Sequence, residues 1–338
     1  MKFEAAGLAF KRDSKGMRHP IFIKGEKVMK TRFAEIVAVC FIAGLAIACL
    51  TPCTSAAAAD QPAAAASTES KGGMSAEELN RQLNNPVSSV WSMVFQNNYT
   101  QLNSGSRDVP GWDEGDDKWY YNLNFQPVLP LPLTGEWNLI NRPVIPLYAD
   151  RPVLESDGFD EVDGLGDIAL VSLLSPAKTT GGFIWGVGPT FIFPTASKDE
   201  LGQEKWQAGP AAVGLHMGKK WIFGAFPQHW WSFAGNDDRK STSQTNIQYF
   251  IWRLLPGQWQ IGTAPNVLID WKADDDNKLT LPVGLGVGKL FKFGSLPIKF
   301  ILEGQYAVIH PDDYGQEWNI RFTVTPVLPS LLKNPIFD

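Results

Sequence analysis

The sequence predicts an all-β fold, a transmembrane antiparallel β-barrel of about twelve strands with short periplasmic turns and longer acidic external loops. Three observations lead to that expectation. Apolar and polar residues alternate with period two through most of the chain after Pro86, the links between the alternating runs are short and long in turn, and tryptophans gather at the ends of the runs.

The run QEWNIRFTVTP at 316–326 shows the alternation most plainly. Trp318, Ile320, Phe322 and Val324 share one parity, and Asn319, Arg321, Thr323 and Thr325 the other, which gives an extended strand two unlike faces. Similar runs lie near 87–99, 118–131, 136–148, 165–175, 182–194, 205–217, 220–233, 243–254, 258–271, 278–291 and 296–309. Short turns, such as Pro256-Gly257 and Gly294-Ser295, alternate with longer links near 100–117, 149–164, 195–204, 234–242, 272–277 and 310–315. A soluble sandwich has no physical reason to segregate its loops in this way, whereas a membrane barrel has one short-turn end and one long-loop end.

Tryptophan supplies the independent test. Trp137, Trp221 and Trp259 open strands just after short turns, and Trp119, Trp206, Trp231, Trp271 and Trp318 stand beside long links. An indole combines an apolar body with a polar N–H and suits the two lipid–water interfaces, so two aromatic rings are expected at opposite rims. The apolar parity then faces lipid and the polar parity faces the lumen. Lumen-lining candidates are Asn122, Asn124, Gln126, Arg142, Gln260, Asn266, Lys299, Glu303, Gln305, Asn319 and Arg321, with Gly186, Gly188, Gly284, Gly286 and Gly288 leaving room between them. Arg142, Lys299, Arg321 and Glu303 together predict an interior of both signs with little preference for one. Pro127, Pro143, Pro189, Pro210, Pro227 and Pro265 fall inside the strands on the outward parity, where each removes a ladder donor, and predict bulges or kinks at similar depth.

The chain before the strands reads as targeting sequence. Lys30 and Arg32 precede an apolar run from about Ile36 to Leu50 and a small-residue stretch ending Ala57-Ala58-Ala59, the pattern of a secretory signal cleaved near Ala59. Residues 1–59 are therefore extension and signal, with no fold expected over 1–28; 60–86 are a linker with a short periplasmic helix in which Ser75 and Glu78 fit a capping box; 87–338 are the barrel. Cys40, Cys49 and Cys53 all lie in the signal, which excludes thiolate chemistry from the mature chain. The location predicted is the outer membrane of a Gram-negative bacterium.

A net charge of −5 is too mild to point to nucleic acid. The carboxylates concentrate in the long links, at Asp113, Glu114, Asp116 and Asp117, at Glu155, Asp157, Asp160, Glu161 and Asp163, at Asp237 and Asp238, at Asp274, Asp275 and Asp276, and at Asp312 and Asp313. A solvated face explains this, and so does an external acidic rim that concentrates cations, for which Asp274, Asp275 and Asp276 are the candidates. No link has the spacing of a calcium loop, so neither metal nor cofactor is expected. An enzyme is not expected either: among His216, His229 and His310 only His229 has a nearby serine, Ser232, and residues three apart on a strand face opposite sides. The expected partners are outer-membrane lipids, small-molecule solutes and the barrel-assembly machinery.

The phrases NPVSSVWSMVFQNNY, NFQPVLPLPL, EWNLINRPVIPLY, GLGDIALVSLLSP, IWGVGPTFIFPTA, EKWQAGPAAVGL, HWWSFAGNDDR and WNIRFTVTP resemble a family of proteobacterial outer-membrane barrels catalogued with the MetA pathway of phenol degradation, relatives of which are often labelled "neuromedin U" or "transporter". The resemblance spans residues 84–329. It implies a passive channel or transporter for small solutes, small aromatic or hydrophobic compounds in particular. A non-conducting structural or adhesive barrel displaying acidic loops is the alternative. Asp167, in the shared Gly164-Leu165-Gly166-Asp167 phrase, is either a lumenal carboxylate or part of a tight turn into a strand.

Overall fold

The computed structural model describes residues 74–103, 118–155, 158–178, 181–312, 314–330, 332 and 334–337, together with 10–12 and 18–20. The signal segment with its cysteines and cleavage site, and the carboxylates Asp113, Glu114, Asp116, Asp117, Asp157 and Asp313, lie outside the described residues. The chain divides into two compact units, Met1–Ala65 and Ala66–Asp338. In the first, Phe10–Arg12 pairs antiparallel with Arg18–Pro20, a short ladder where no fold was expected.

The second unit is a closed barrel. Its strands are β1 (Ser92–Asn103), β2 (Lys118–Pro132), β3 (Trp137–Glu155), β4 (Gly158–Leu165), β5 (Ile168–Pro176), β6 (Phe183–Phe193), β7 (Lys205–Met217), β8 (Trp221–Gly235), β9 (Ser243–Leu255), β10 (Trp259–Thr263), β11 (Asn266–Asp270), β12 (Leu279–Phe293), β13 (Leu296–Ile309) and β14 (Gly315–Pro326). All neighbours run antiparallel, and β14 returns to pair with β1, Phe322 opposite Asn97 and Arg321 opposite Asn98. The wall has twelve places, because β4 and β5 share the edge of β3, and β10 and β11 share the place between β9 and β12.

The alternation becomes two faces. On β13, Leu302 is 52% exposed while Glu303 beside it is 2% exposed; on β14, Ile320 points out and Arg321 in. Trp221 and Trp259 are exposed at the short-turn end, where Trp137 meets Trp185 edge-on, and Trp206, Trp231, Trp271 and Trp318 are exposed at the long-loop end.

Four expectations need correction. The link at 149–164 is not a loop: β3 continues to Glu155 and forms a hairpin with β4, the register shifting between Tyr148 and Arg151 where Asp150 adopts φ 54°. The stretch 258–271 is two strands, separated at Ala264-Pro265. Pro265 is fully buried rather than outward; at that break the Ala264 N–H and carbonyl go to Glu303 and Arg321, while the Pro265 carbonyl still accepts from the Tyr249 N–H of β9. Finally, only part of the interior is polar. Ile140, Leu173, Leu215, Ile222, Phe226, Phe250 and Trp252 form an apolar core on the inner face of the central strands, and Val87, from the segment preceding β1, packs into it.

The prolines do fall where the ladder lapses. Pro189 lies in the gap between Val171↔Thr190 and Leu174↔Val187 of β5 and β6, Pro227 and Pro210 lie in two gaps in the pairing of β7 with β8, and pairing of β2 with β3 is interrupted between Phe125↔Ile145 and Leu129↔Asn141, the stretch that holds Pro127 and Pro143. A strand without an N–H at that position cannot close the ladder bond, and the register resumes unshifted on either side, so the lapses are not the bulges expected.

Before β1 lies a short helix, α1 (Ala76–Gln82), started by Ser75, whose Oγ accepts from the Glu78 N–H at 3.1 Å. The chain after it enters the barrel, where Asn84, Val87 and Ser88 are buried.

Candidate functional site

The inner faces of β13, β14, β1 and β2 carry a continuous polar network. Asn319 donates to Gln305 at 3.1 Å and to Asn98 at 3.3 Å, and it accepts from Thr100 at 3.2 Å. Arg321 donates through Nε to Asn98 at 3.0 Å and through Nη1 to the Ala264 carbonyl at 3.0 Å. Glu303 accepts from the Thr263 hydroxyl at 2.6 Å and from the Ala264 N–H at 3.0 Å. The break between β10 and β11 thus supplies both an N–H and a carbonyl to the interior, and the acid and the base opposite each take one. Buried polar atoms are costly unless paired, and this interruption of the ladder is paired by side chains from two and three places away.

Lys299 serves the other end of the polar face. It is 1% exposed, and its Nζ donates to the Asn80 carbonyl at 3.1 Å and to Asn84 Oδ1 at 2.8 Å. Asn84 also donates to Gln260 at 3.0 Å, Asn80 donates to the Gln258 carbonyl at 3.2 Å, and Gln258 donates to Glu77 at 2.8 Å. These bonds hold α1 and the chain after it inside the short-turn end.

Arg142 is different. Its guanidinium has five N–H donors, yet it makes one hydrogen bond, Nη2 to Gln126 Oε1 at 3.3 Å. Nε is buried and has no partner, and among the described residues no carboxylate pairs with it. Its Cζ lies 5.7 Å from the centre of the Phe226 ring on β8, four places around the wall from β3, so the two side chains span the interior. Between this bridge and the segment after α1 is a cavity of about 120 Å³, lined by Arg142, Arg321 and Glu303 on its polar side and Val94, Phe250 and Trp252 on its apolar side.

The other candidates are placed as follows. Asn122 is buried, pairs in register with Asn98, and donates to the Leu147 carbonyl at 3.2 Å. Asn124 and Gln126 share that face, Asn124 half-buried. Asn266 pairs in register with Gln248 at the start of β11, and Gln248 lines the cavity with Arg142 and Arg321. Asp167 is not with them at all. It lies between β4 and β5 and accepts from the N–H groups of Thr195 and Ala196 at 3.1 Å each and of Gln203 at 2.8 Å, so it organises the following loop. In the rim, Asp274 precedes the 3₁₀ turn Asp275–Asn277, Asp275 pairs with Lys278, and the Asp276 carbonyl accepts from the Asp312 N–H. The Lys278 ammonium holds the Asp275 carboxyl below its ordinary range. His229 bonds Thr245 at 2.7 Å, while Ser232 accepts from the Thr242 N–H instead of approaching the imidazole.

Gln96, Asn98, Phe226, Phe250 and Trp252 were missed. Gln96 and Asn98 sit opposite an outward Asn97, which blurs the parity of β1, and the three aromatics lie in runs such as Trp230-Trp231 and Ile251-Trp252 where both parities are apolar.

No protein-family model matches the sequence, and no curated protein does. Among solved structures the chain is similar to the crystal structure of an outer membrane channel from Pseudomonas putida F1, with TM-score 0.50 and 15% identity over 71% of this chain and 96% of that one. The fold is that of an outer-membrane barrel. The translocator domain of the autotransporter NalP from Neisseria meningitidis (TM-score 0.37, 10% identity, 70% of this chain and 88% of that one) and a Pseudomonas aeruginosa FadL homologue (TM-score 0.32, 11% identity, 73% and 93%) are more distant likenesses.

Proposed function

We propose that the protein is an outer-membrane channel or transporter for small solutes, reached after removal of a signal segment near Ala59. Small aromatic or hydrophobic compounds are the solute class that the family resemblance implies. The observation that carries this reading is the cavity between the Arg142–Phe226 bridge and the segment after α1, enclosed by a wall whose outer face is apolar from ring to ring. A protein that served only as a scaffold has no need of an interior with an underused guanidinium.

The bonds from Lys299 to Asn80 in α1 and to Asn84 just after it make α1 and the segment that follows the closing element in this reading. Replacing Lys299 by Met removes both while keeping the stem, and the expected result in planar-bilayer recording is a larger open fraction than the wild type. If neither protein conducts and neither releases solute from vesicles, the non-conducting barrel is the correct reading.

The acidic mouth is proposed to set local ion concentrations. Changing Asp274, Asp275 and Asp276 together to Asn is expected to lower cation preference at 0.01 M salt, where the Debye length is roughly 30 Å, and to do little at 1 M, where it is roughly 3 Å. Reversal potentials across a salt gradient check this, and identical values at low salt would remove the rim as a filter.

A further inference from the structure

We infer that the interior cavity is a binding site for a small organic monoanion with a flat apolar body, an aromatic carboxylate, with Arg142 as the group that takes the carboxylate. The inference rests on the transporter reading and names the solute more narrowly than that reading does.

The charges in the cavity do not cancel. Glu303 is turned to the Thr263 hydroxyl and the Ala264 N–H, and it faces Arg321, whose own donors go to Asn98 and to the Ala264 carbonyl. That acid and base stand opposite in register and each has hydrogen-bond partners of its own. Arg142 remains, with a single bond to the neutral Gln126 and a buried Nε that bonds nothing. The expectation of an evenly balanced interior therefore does not hold at this level, where one positive charge is in excess. A charged group held away from water is stabilised by an opposite charge with matching geometry, and a carboxylate matches a guanidinium in two parallel hydrogen bonds.

The remainder of the cavity describes what the carboxylate is attached to. One wall, formed by Val94, Val128, Phe250, Trp252 and Ile301, offers no hydrogen bond to a solute body apart from the Trp252 N–H, and Gln96, Gln248, Thr323 and Thr325 are among the polar residues that line the rest. Its volume of about 120 Å³ is close to the roughly 150 Å³ of an apolar cavity that takes up benzene. The site thus holds one ring, with the carboxylate at the Arg142 end and the ring between aromatic and aliphatic walls. A neutral phenol presents no charge to Arg142, and acetate presents no ring to Phe250 and Trp252. The acidic rim does not bar such a solute, because at physiological ionic strength its field decays over a Debye length of roughly 8 Å.

Titration calorimetry of the full-length protein, refolded in detergent, tests the site with benzoate, benzyl alcohol and acetate as probes. Benzoate is expected to saturate one site, and the other two to bind at least about tenfold more weakly. Arg142→Gln is expected to weaken benzoate about tenfold or more and Arg142→Lys to restore part of the loss, both still showing heat-modifiable migration. Equal binding of benzoate and benzyl alcohol, no benzoate binding at all, or an unchanged Arg142→Gln variant would overturn the inference. Should that variant not fold, the wild-type comparison of benzoate with benzyl alcohol decides alone. Failure here is separable from failure of the transporter reading. A protein that conducts but does not bind benzoate loses only the site, and one that binds benzoate but never conducts loses only the transport.

Discussion

Replacing Leu285 by arginine is expected to cost about 2–4 kcal/mol of stability in lipid vesicles, while the same change at Phe233 costs about 1 kcal/mol or less. Both side chains point outward and are similarly exposed, at 65% and 67%. They differ in depth. Leu285 is near the middle of β12, and Phe233 is beyond Trp231 at the long-loop end of β8. A guanidinium at mid-bilayer has no water and no partner, whereas at the rim it reaches the headgroups. Urea titration of folding into vesicles measures both, and equal costs would mean that the aromatic rings do not bracket a bilayer.

The second large effect is steric. A Cβ on Gly188 would lie 1.9 Å from the Ser172 carbonyl oxygen, a contact that the backbone of β5 cannot relieve without moving. Gly188→Val is therefore expected to cost more than about 4 kcal/mol and to abolish the heat-modifiable form. Gly304→Val, also within a strand but with nothing within 4 Å of its Cβ position, is expected to be neutral or to stabilise by about 0.5–1 kcal/mol, because valine loses less freedom than glycine in a strand. The close approach at Gly188 adjoins Pro189, which faces Pro210, and Gly209 beside Pro210 is as tight against the His229 carbonyl. Small residues are thus needed where the prolines draw neighbouring backbones together.

The strands were legible because a barrel wall imposes a strict period of two, and Trp318 to Thr325 or Ile298 to Gln305 leave little freedom in assigning a face. The β3–β4 hairpin was not legible, since its run of Asp160, Glu161 and Asp163 has the composition of a loop and gains its strand geometry only by pairing with a partner beyond the rim. Nor was the division at Ala264-Pro265, where alternation continues in the sequence while the ladder is interrupted. The polar half of the candidate site could be read from Lys299, Glu303, Asn319 and Arg321 because each stands alone among apolar neighbours. Its apolar half could not, because Phe250 and Trp252 lie in a strand whose outward residues are also large and apolar. The isolation of Arg142 depends on what stands across the lumen, and no periodicity along one strand carries that.

The network joining Asn98, Thr100, Asn319 and Arg321 also bears on how the ring comes to close. Every other neighbouring pair in the wall is joined by a connection that limits its register, but β14 and β1 are separated by most of the chain, 225 residues between Phe322 and Asn97. A slip of two residues would preserve inside and outside and leave the lipid-facing surface unchanged, so the membrane cannot detect it. The side chains can. Slipped by two, Arg321 stands opposite Gln96 or Thr100, and the bonds that Asn319 and Arg321 donate to Asn98 are lost among buried side chains. The joint between the two ends of the sheet is thus keyed by its own polar residues, and Asn98→Leu is a mutation whose damage would fall on the fidelity of closure more than on the strength of the closed form.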